Sequence, residues 1–336
     1  MNSTLRAYLE LSRISNAPTV VSNALAGAAL GARAFTTEPT AWSIAAPAIA
    51  CTCFYTAGMA LNDFIDRDID AAERPQRPIP AGRVSAAGAL AYASTLMTVG
   101  LALLLTVGAL PFQLGLALVG CIILYDVLHS RTAWTVLLMG LCRGLVYVVA
   151  AASAGIALDA SVLGPAAILV LYVAGFSLTA RHEAVAFAAA RGVACVRCAY
   201  PLARPDDTCP ECGHREGGGR LRIRFHFSLL LPAVLLAAIL FSPPELIGAK
   251  YRSNSDIAMM VTAGLTAGFL AAWLASATRL VELRPPKIGP AVLMWIAAIA
   301  LYDTYLLLLT KSFVLAGIAL AAFALTRALQ RRIAGT

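Results

Sequence analysis

Charge is scarce in this sequence: Asp, Glu, Lys and Arg supply only 13% of its 336 residues. A soluble domain carries about a quarter. That shortage, with 60% hydrophobic residues and a mean hydropathy of +0.77, excludes one large water-solvated globule. The N-terminus, 1–13, lacks the basic-then-apolar order of a cleaved leader, so the first apolar block is expected to be retained. No internal repeat stands out, which gives no support to a repeat array.

What is present is a series of apolar blocks of about twenty residues, the length a helix needs to cross roughly 30 Å of hydrocarbon. Ten spans are expected, at 16–34, 42–61, 86–109, 112–128, 134–157, 162–180, 226–243, 256–278, 289–309 and 312–329. The connections alternate. Short ones such as 35–41 and 158–161 hold few basic residues, whereas the others carry Arg67, Arg74, Arg77 and Arg83, then Arg131, then an arginine-rich stretch, then Arg279, Arg284 and Lys287. Basic residues stay on the cytoplasmic side. The expectation is an all-α polytopic bundle of nine to ten spans in a bacterial cytoplasmic membrane, with both termini inside. The formal charge of +8 then needs no nucleic-acid partner; it reflects topology and attraction to anionic lipid.

The second span ends in Leu61-Asn62-Asp63-Phe64-Ile65-Asp66-Arg67-Asp68-Ile69-Asp70. On a continuous helix, at about 100° per residue, Asn62, Asp63, Asp66 and Asp70 share about a quarter-turn arc. Carboxylates so crowded repel one another unless a cation intervenes. Their hard oxygens suit Mg²⁺, which shares its shell with substrate phosphates. A solvated acidic loop is the plainer reading, but it leaves the one-sided spacing at a span's end unexplained. Next comes Arg74-Pro75-Gln76-Arg77-Pro78-Ile79-Pro80-Ala81-Gly82-Arg83. Its prolines stop the helix and stiffen the chain, holding arginines near the carboxylates. Metal and guanidinium together can grip a diphosphate leaving group.

Asn62-Asp63-x-x-Asp66-x-x-x-Asp70 with Arg77-Pro78-Ile79-Pro80-Ala81-Gly82 resembles the first signature of the UbiA superfamily of intramembrane prenyltransferases. The resemblance covers the membrane core and implies Mg²⁺ at Asn62, Asp63, Asp66 and Asp70, with Asp66 and Asp70 catalytic. It implies a prenyl diphosphate donor, bound by Arg77, and an aromatic or other lipophilic acceptor. The family's next connection usually has Tyr followed by Lys-Arg four and five places on. Here Tyr125 matches, His129 stands at the Lys position and Arg131 is one place late. Arg143, within the fifth apolar block, is expected to face a polar cavity and to pair with Asp66, Asp70 or phosphate, or with a structural partner. Where relatives carry a second Asp-rich motif, this chain reads Thr179-Ala180-Arg181-His182-Glu183-Ala184-Val185, leaving Glu183 as the candidate second carboxylate. That departure resembles divergent, EboC-like members and keeps open a non-catalytic prenyl- or lipid-binding protein. A transporter would need more intramembrane charge than Arg143 and Asp303 provide. Asp303 is expected to line the acceptor pocket or to pair with a basic group.

Between spans six and seven, Cys195-x-x-Cys198 and Cys209-x-x-Cys212 present four thiolates at the spacing of a tetrahedral zinc site. A reducing compartment disfavours disulfides there. The insert resembles a short rubredoxin-like zinc ribbon. With all four ligands committed, Zn²⁺ would be structural, and the lobe would cap the active-site mouth or bind a protein partner. Three units are therefore expected: 1–191 and 221–336 forming the bundle, and 192–220 the ribbon.

Overall fold

The computed structural model describes residues 3–32, 39–129, 134–155, 159–190, 254–283 and 287–333. Among them the chain is helical, with no strand. A short α1 (Ser3–Leu11) and a 3-10 turn (Ile14–Asn16) precede α2 (Pro18–Ala32), which opens on a proline where the missing N–H costs nothing. Then come α3 (Ala41–Ile65), α4 (Arg67–Glu73), α5 (Ala86–Leu105), α6 (Ala109–Leu128), α7 (Thr135–Ala154) and α8 (Ala160–Ala190). The series closes with α9 (Asn254–Glu282), α10 (Ile288–Leu309) and α11 (Phe313–Gln330). Local chemistry sets the helix starts. Thr40 Oγ1 accepts the Ser43 N–H at 3.1 Å ahead of α3, and Ser85 Oγ accepts the Gly88 N–H at 3.0 Å ahead of α5.

Eight of these helices are long and apolar enough to cross a membrane. The expected first span corresponds to α2, which has 15 residues. The expected span 226–243 and the ribbon at 192–220, with its four cysteines, lie outside the described residues.

Helix α10 is the axle. All but a few of its residues are buried, and it packs on α2, α8, α9 and α11. Outer helices instead expose large apolar side chains such as Leu105, Leu265 and Val314, as lipid-facing helices do. Lipid gives helices little hydrophobic reason to associate, so close van der Waals contact must supply the cohesion. Small residues provide it between α2 and α7: a Cβ on Gly27 would lie 2.5 Å from the Tyr147 carbonyl oxygen, and one on Gly31 2.6 Å from Ala151. Together α2, α3, α6, α7, α8 and α10 enclose a cavity that opens at the end of the bundle where α3 stops and α6 ends.

Candidate active site

The carboxylate run is not one straight helix. Asp66 ends α3 and opens α4 with φ −83° and ψ 4°, while the hydrogen-bond ladder continues through Asp66 N–H to Asn62 O (2.9 Å) and Asp70 N–H to Asp66 O (2.8 Å). Asp68 and Asp70 in the first turn of α4 complement its dipole. The expected arc divides. Asn62, Asp66 and Asp70 face the cavity, whereas Asp63 faces a smaller pocket behind it.

Arg77 bridges the two sides. Its Nη1 donates to Asp70 Oδ2 at 2.6 Å and to Asp63 Oδ1 at 3.2 Å, and Arg13 Nη2 reaches the same Asp63 oxygen at 3.2 Å. The proline-rich segment delivers Arg77 in a compact turn that Gly82 closes in the left-handed region (φ 68°), where its missing Cβ matters. The N–H groups of Arg83 and Val84 both return to the Pro78 carbonyl. Arg83 itself pairs with Glu10, away from the carboxylate run.

His129 caps α6, donating its backbone N–H to Tyr125 O at 2.8 Å. Its Nδ1 lies 3.0 Å from the Asp126 carbonyl, which can only accept, and its Nε2 lies 2.9 Å from Asp66 Oδ2. Both ring nitrogens thus face acceptors, an arrangement that favours the imidazolium. The hydrogen bond to Asp66 raises the His129 pKa above its ordinary value, against the opposing effect of burial. Tyr125 stacks on the imidazole at 5.3 Å.

The cavity measures about 700 Å³. Asn62, Asp66, Asp70, Arg74, Arg77 and His129 form its polar end. Phe54, Leu118, Ile122, Met139, Val146 and Ile296 make most of the rest apolar. Such a shape accommodates an anionic head and a hydrocarbon tail. Among the described residues no three His, Cys, Asp or Glu side chains form a ready metal cage. The donors facing the cavity, two carboxylates and an amide, instead fit a Mg²⁺ ion whose shell is completed by phosphate oxygens.

Residues 20–200 match the UbiA prenyltransferase family. The chain belongs to that family. The digeranylgeranylglyceryl phosphate synthase of Ignicoccus hospitalis is 42% identical over 106 residues, 32% of this chain and 33% of that protein. That of Halobacterium salinarum is 34% identical over 173 residues, 49% of this chain and 59% of that protein. The chain thus spans between a third and three fifths of these relatives' length. Two UbiA homologues share the fold. One from Aeropyrum pernix has a TM-score of 0.60 at 18% identity, covering 85% of this chain and 96% of that one. One from Archaeoglobus fulgidus bound to GPP and Mg²⁺ has a TM-score of 0.56 at 13% identity, covering 91% and 99%. Membership and the apolar helices make this a multi-pass membrane protein.

Within this UbiA bundle, Arg143 does not pair with Asp66 or Asp70. It lines the cavity with Nη1 on Asn23 Oδ1 at 3.1 Å and Cζ 5.3 Å from the Tyr55 ring centre. Asn23 in turn donates Nδ2 to both Asp303 oxygens, at 2.9 and 3.1 Å. Asp303 also accepts from Ser22 Oγ at 2.5 Å and from Tyr147 Oη. Fully buried, it is a hub behind the cavity wall that joins α2, α7 and α10; it neither lines the pocket nor bonds a basic side chain directly.

Two residues at the polar end escaped the sequence reading. Asp126 is buried, lines the cavity, accepts a hydrogen bond from the Asn62 side chain and leaves Oδ2 without a partner among the described residues. Its signal was available: a carboxylate inside an apolar span, three places before His129. Arg13, within the N-terminal segment 1–13, carried no such signal. Arg131 and the side chain of Glu183 lie outside the described residues.

Proposed function

We propose that this protein is a Mg²⁺-dependent prenyltransferase that moves a prenyl group from a prenyl diphosphate to a lipophilic acceptor inside the membrane. The observation that carries the reading is the division of one cavity into a polar end, with Asn62, Asp66, Asp70, Arg74, Arg77 and His129, and a long apolar remainder. Bound Mg²⁺ would neutralise diphosphate charge and so assist its departure. Asp66 and Asp70, with Asn62 as a further oxygen donor, would hold that ion beside the donor head, and Asp63 is held behind them by Arg13 and Arg77. Arg77 and His129 take up charge as the allylic carbon–oxygen bond breaks. The apolar walls keep water from the allylic cation; the acceptor's nucleophilic atom captures it and gives up its proton to the departing diphosphate. The proposal includes Arg131 and Glu183 as further diphosphate and carboxylate groups, Arg143 deeper in the cavity, and Tyr125 as the plate that orients His129. A structural Zn²⁺ at Cys195, Cys198, Cys209 and Cys212 rests on the spacing of those residues, as does a protein-binding or capping lobe. Charge distribution supports placing the polar mouth and both termini on the cytoplasmic side of a bacterial membrane. The curated relatives' phosphate-bearing lipid product supports a lipid acceptor alongside the aromatic class.

Asp66→Ala is expected to abolish Mg²⁺-dependent release of diphosphate from labelled prenyl diphosphates, with detergent elution unchanged and the fold retained despite the lost contact to His129. A normally folded variant that still turns over would overturn the assignment. One observation favours a second reading. Arg77 already bonds Asp70 and Asp63, and the 179–185 run has no second aspartate pair. A binding protein without catalysis would hold prenyl diphosphate tightly and form no product.

A further inference from the structure

Behind the polar end of the cavity lies a second concavity of about 270 Å³. Six guanidinium groups line it, those of Arg6, Arg13, Arg74, Arg77, Arg83 and Arg332. They come from α1, from the turn after it, from the proline-rich segment and from the chain just past α11. Gln330 brings the last of these in, since its Nε2 donates to Asn16 Oδ1 at 2.9 Å and ties the end of α11 to the 3-10 turn. Only two carboxylates share the pocket, and both are committed: Glu10 to Arg6 (3.0 Å) and Arg83 (2.5 Å), Asp63 to Arg13 and Arg77 (3.2 Å each). Arg74 and Arg332 have no ion-pair partner among the described residues.

A preference for basic residues at one membrane face explains arginines there; it gives no reason for four chain segments to converge them in one hollow. Guanidinium groups stay charged at any physiological pH, and their planar forks match phosphate oxygens bidentately. Among the lining residues Pro78 alone has an apolar side chain, so the hollow's recognition chemistry is that of its guanidinium groups. Arg13, Arg74 and Arg77 also line the larger cavity, forming a wall with an anion-binding face on each side.

We infer that this outer pocket is a second binding site, for a phosphate-class anion, separated from the donor diphosphate site by the wall of Arg13, Arg74 and Arg77. Its occupant is either free diphosphate or the phosphate of a membrane lipid headgroup; the recognition chemistry is the same. Occupancy draws Arg13 and Arg77 away from Asp63 and Asp70, which links the outer pocket to the state of the inner carboxylates.

The test uses the full chain in phosphatidylcholine nanodiscs, titrated calorimetrically with inorganic diphosphate in EDTA and again with Mg²⁺. The variant is Arg6→Gln with Arg332→Gln. Neither side chain lines the larger cavity, and the Arg6–Glu10 pair is an exposed contact of little worth to stability. Wild type is expected to bind diphosphate in EDTA, and the double variant about tenfold more weakly, the loss of a charge-assisted contact. Repeating the titration with phosphatidylglycerol in the disc separates the two sources. Persistent binding assigns the site to free diphosphate; binding suppressed by the anionic lipid in wild type assigns it to a headgroup. Identical wild-type and variant isotherms in both lipids would overturn the proposal. Its fate is separate from that of the transferase reading: failure of Mg²⁺-dependent prenyl diphosphate binding, with the EDTA-resistant site intact, would remove only the latter.

Discussion

The imidazole of His129 sits 2.9 Å from Oδ2 of Asp66, joining the end of α6 to the junction of α3 and α4. His129 thereby supplies a cation to the polar end of the cavity, but one that titrates.

That contact makes donor binding pH-dependent in a defined direction. The His129 pKa is raised above its ordinary 6.5, chiefly by Asp66. A raised folded pKa means that the charged pair stabilises the protein fully below the unfolded value, and that the contribution is lost as pH rises through the folded one. Affinity for prenyl diphosphate, measured calorimetrically from pH 6 to 9, is expected to be flat at the acidic end and to fall once His129 deprotonates. His129→Lys should remove the fall over that range. A variant with an unchanged pH profile would show that His129 does not report on donor binding.

Arg77→Ala strips the shared cation from two nearly buried carboxylates, Asp63 and Asp70. The expected cost is about 3 kcal/mol, the range for breaking a buried pair from one side. Differential scanning fluorimetry in detergent should show a lowered apparent Tm. Adding Asp70→Asn to Arg77→Ala should recover part of the loss, since the two groups are coupled.

Asp303→Ala leaves Ser22, Asn23 and Tyr147 without their common acceptor in a dry interior. A loss of about 2–4 kcal/mol is expected, because buried polar groups lose their partners together. Asp303→Asn, which keeps the shape and one acceptor oxygen, should cost less. Equal melting of the two variants would argue against a hydrogen-bonding hub.

Gly27→Val tests the close seam between α2 and α7, where even a Cβ would sit 2.5 Å from a backbone oxygen. Backbone cannot swing aside as a side chain can, so overpacking of about 1–3 kcal/mol or more is expected. Gly164→Ala, at a position with open space, is the control and should leave melting unchanged.

Several features were legible in the chain alone. Block length and apolarity depend on the bilayer, so eight of the ten expected spans reappear as membrane-length helices and a ninth as α2. The carboxylate run and the proline-arginine segment were legible because their geometry is local: helix periodicity sets which residues are neighbours, and prolines set where the helix stops. The tertiary structure decided the rest. The reach of Arg77 and Arg13 holds Asp63 in the smaller pocket, a pairing that no periodicity contains. Arg143 found Asn23 instead of a carboxylate, and Asp303 found Tyr147 across 156 positions of sequence. The outer arginine pocket likewise gathers Arg6 and Arg332 from opposite ends of the chain. Partners so distant in sequence are chosen by helix packing. In this protein that packing is set by glycine-lined seams and a shared buried carboxylate, whose energies exist only once the helices have met.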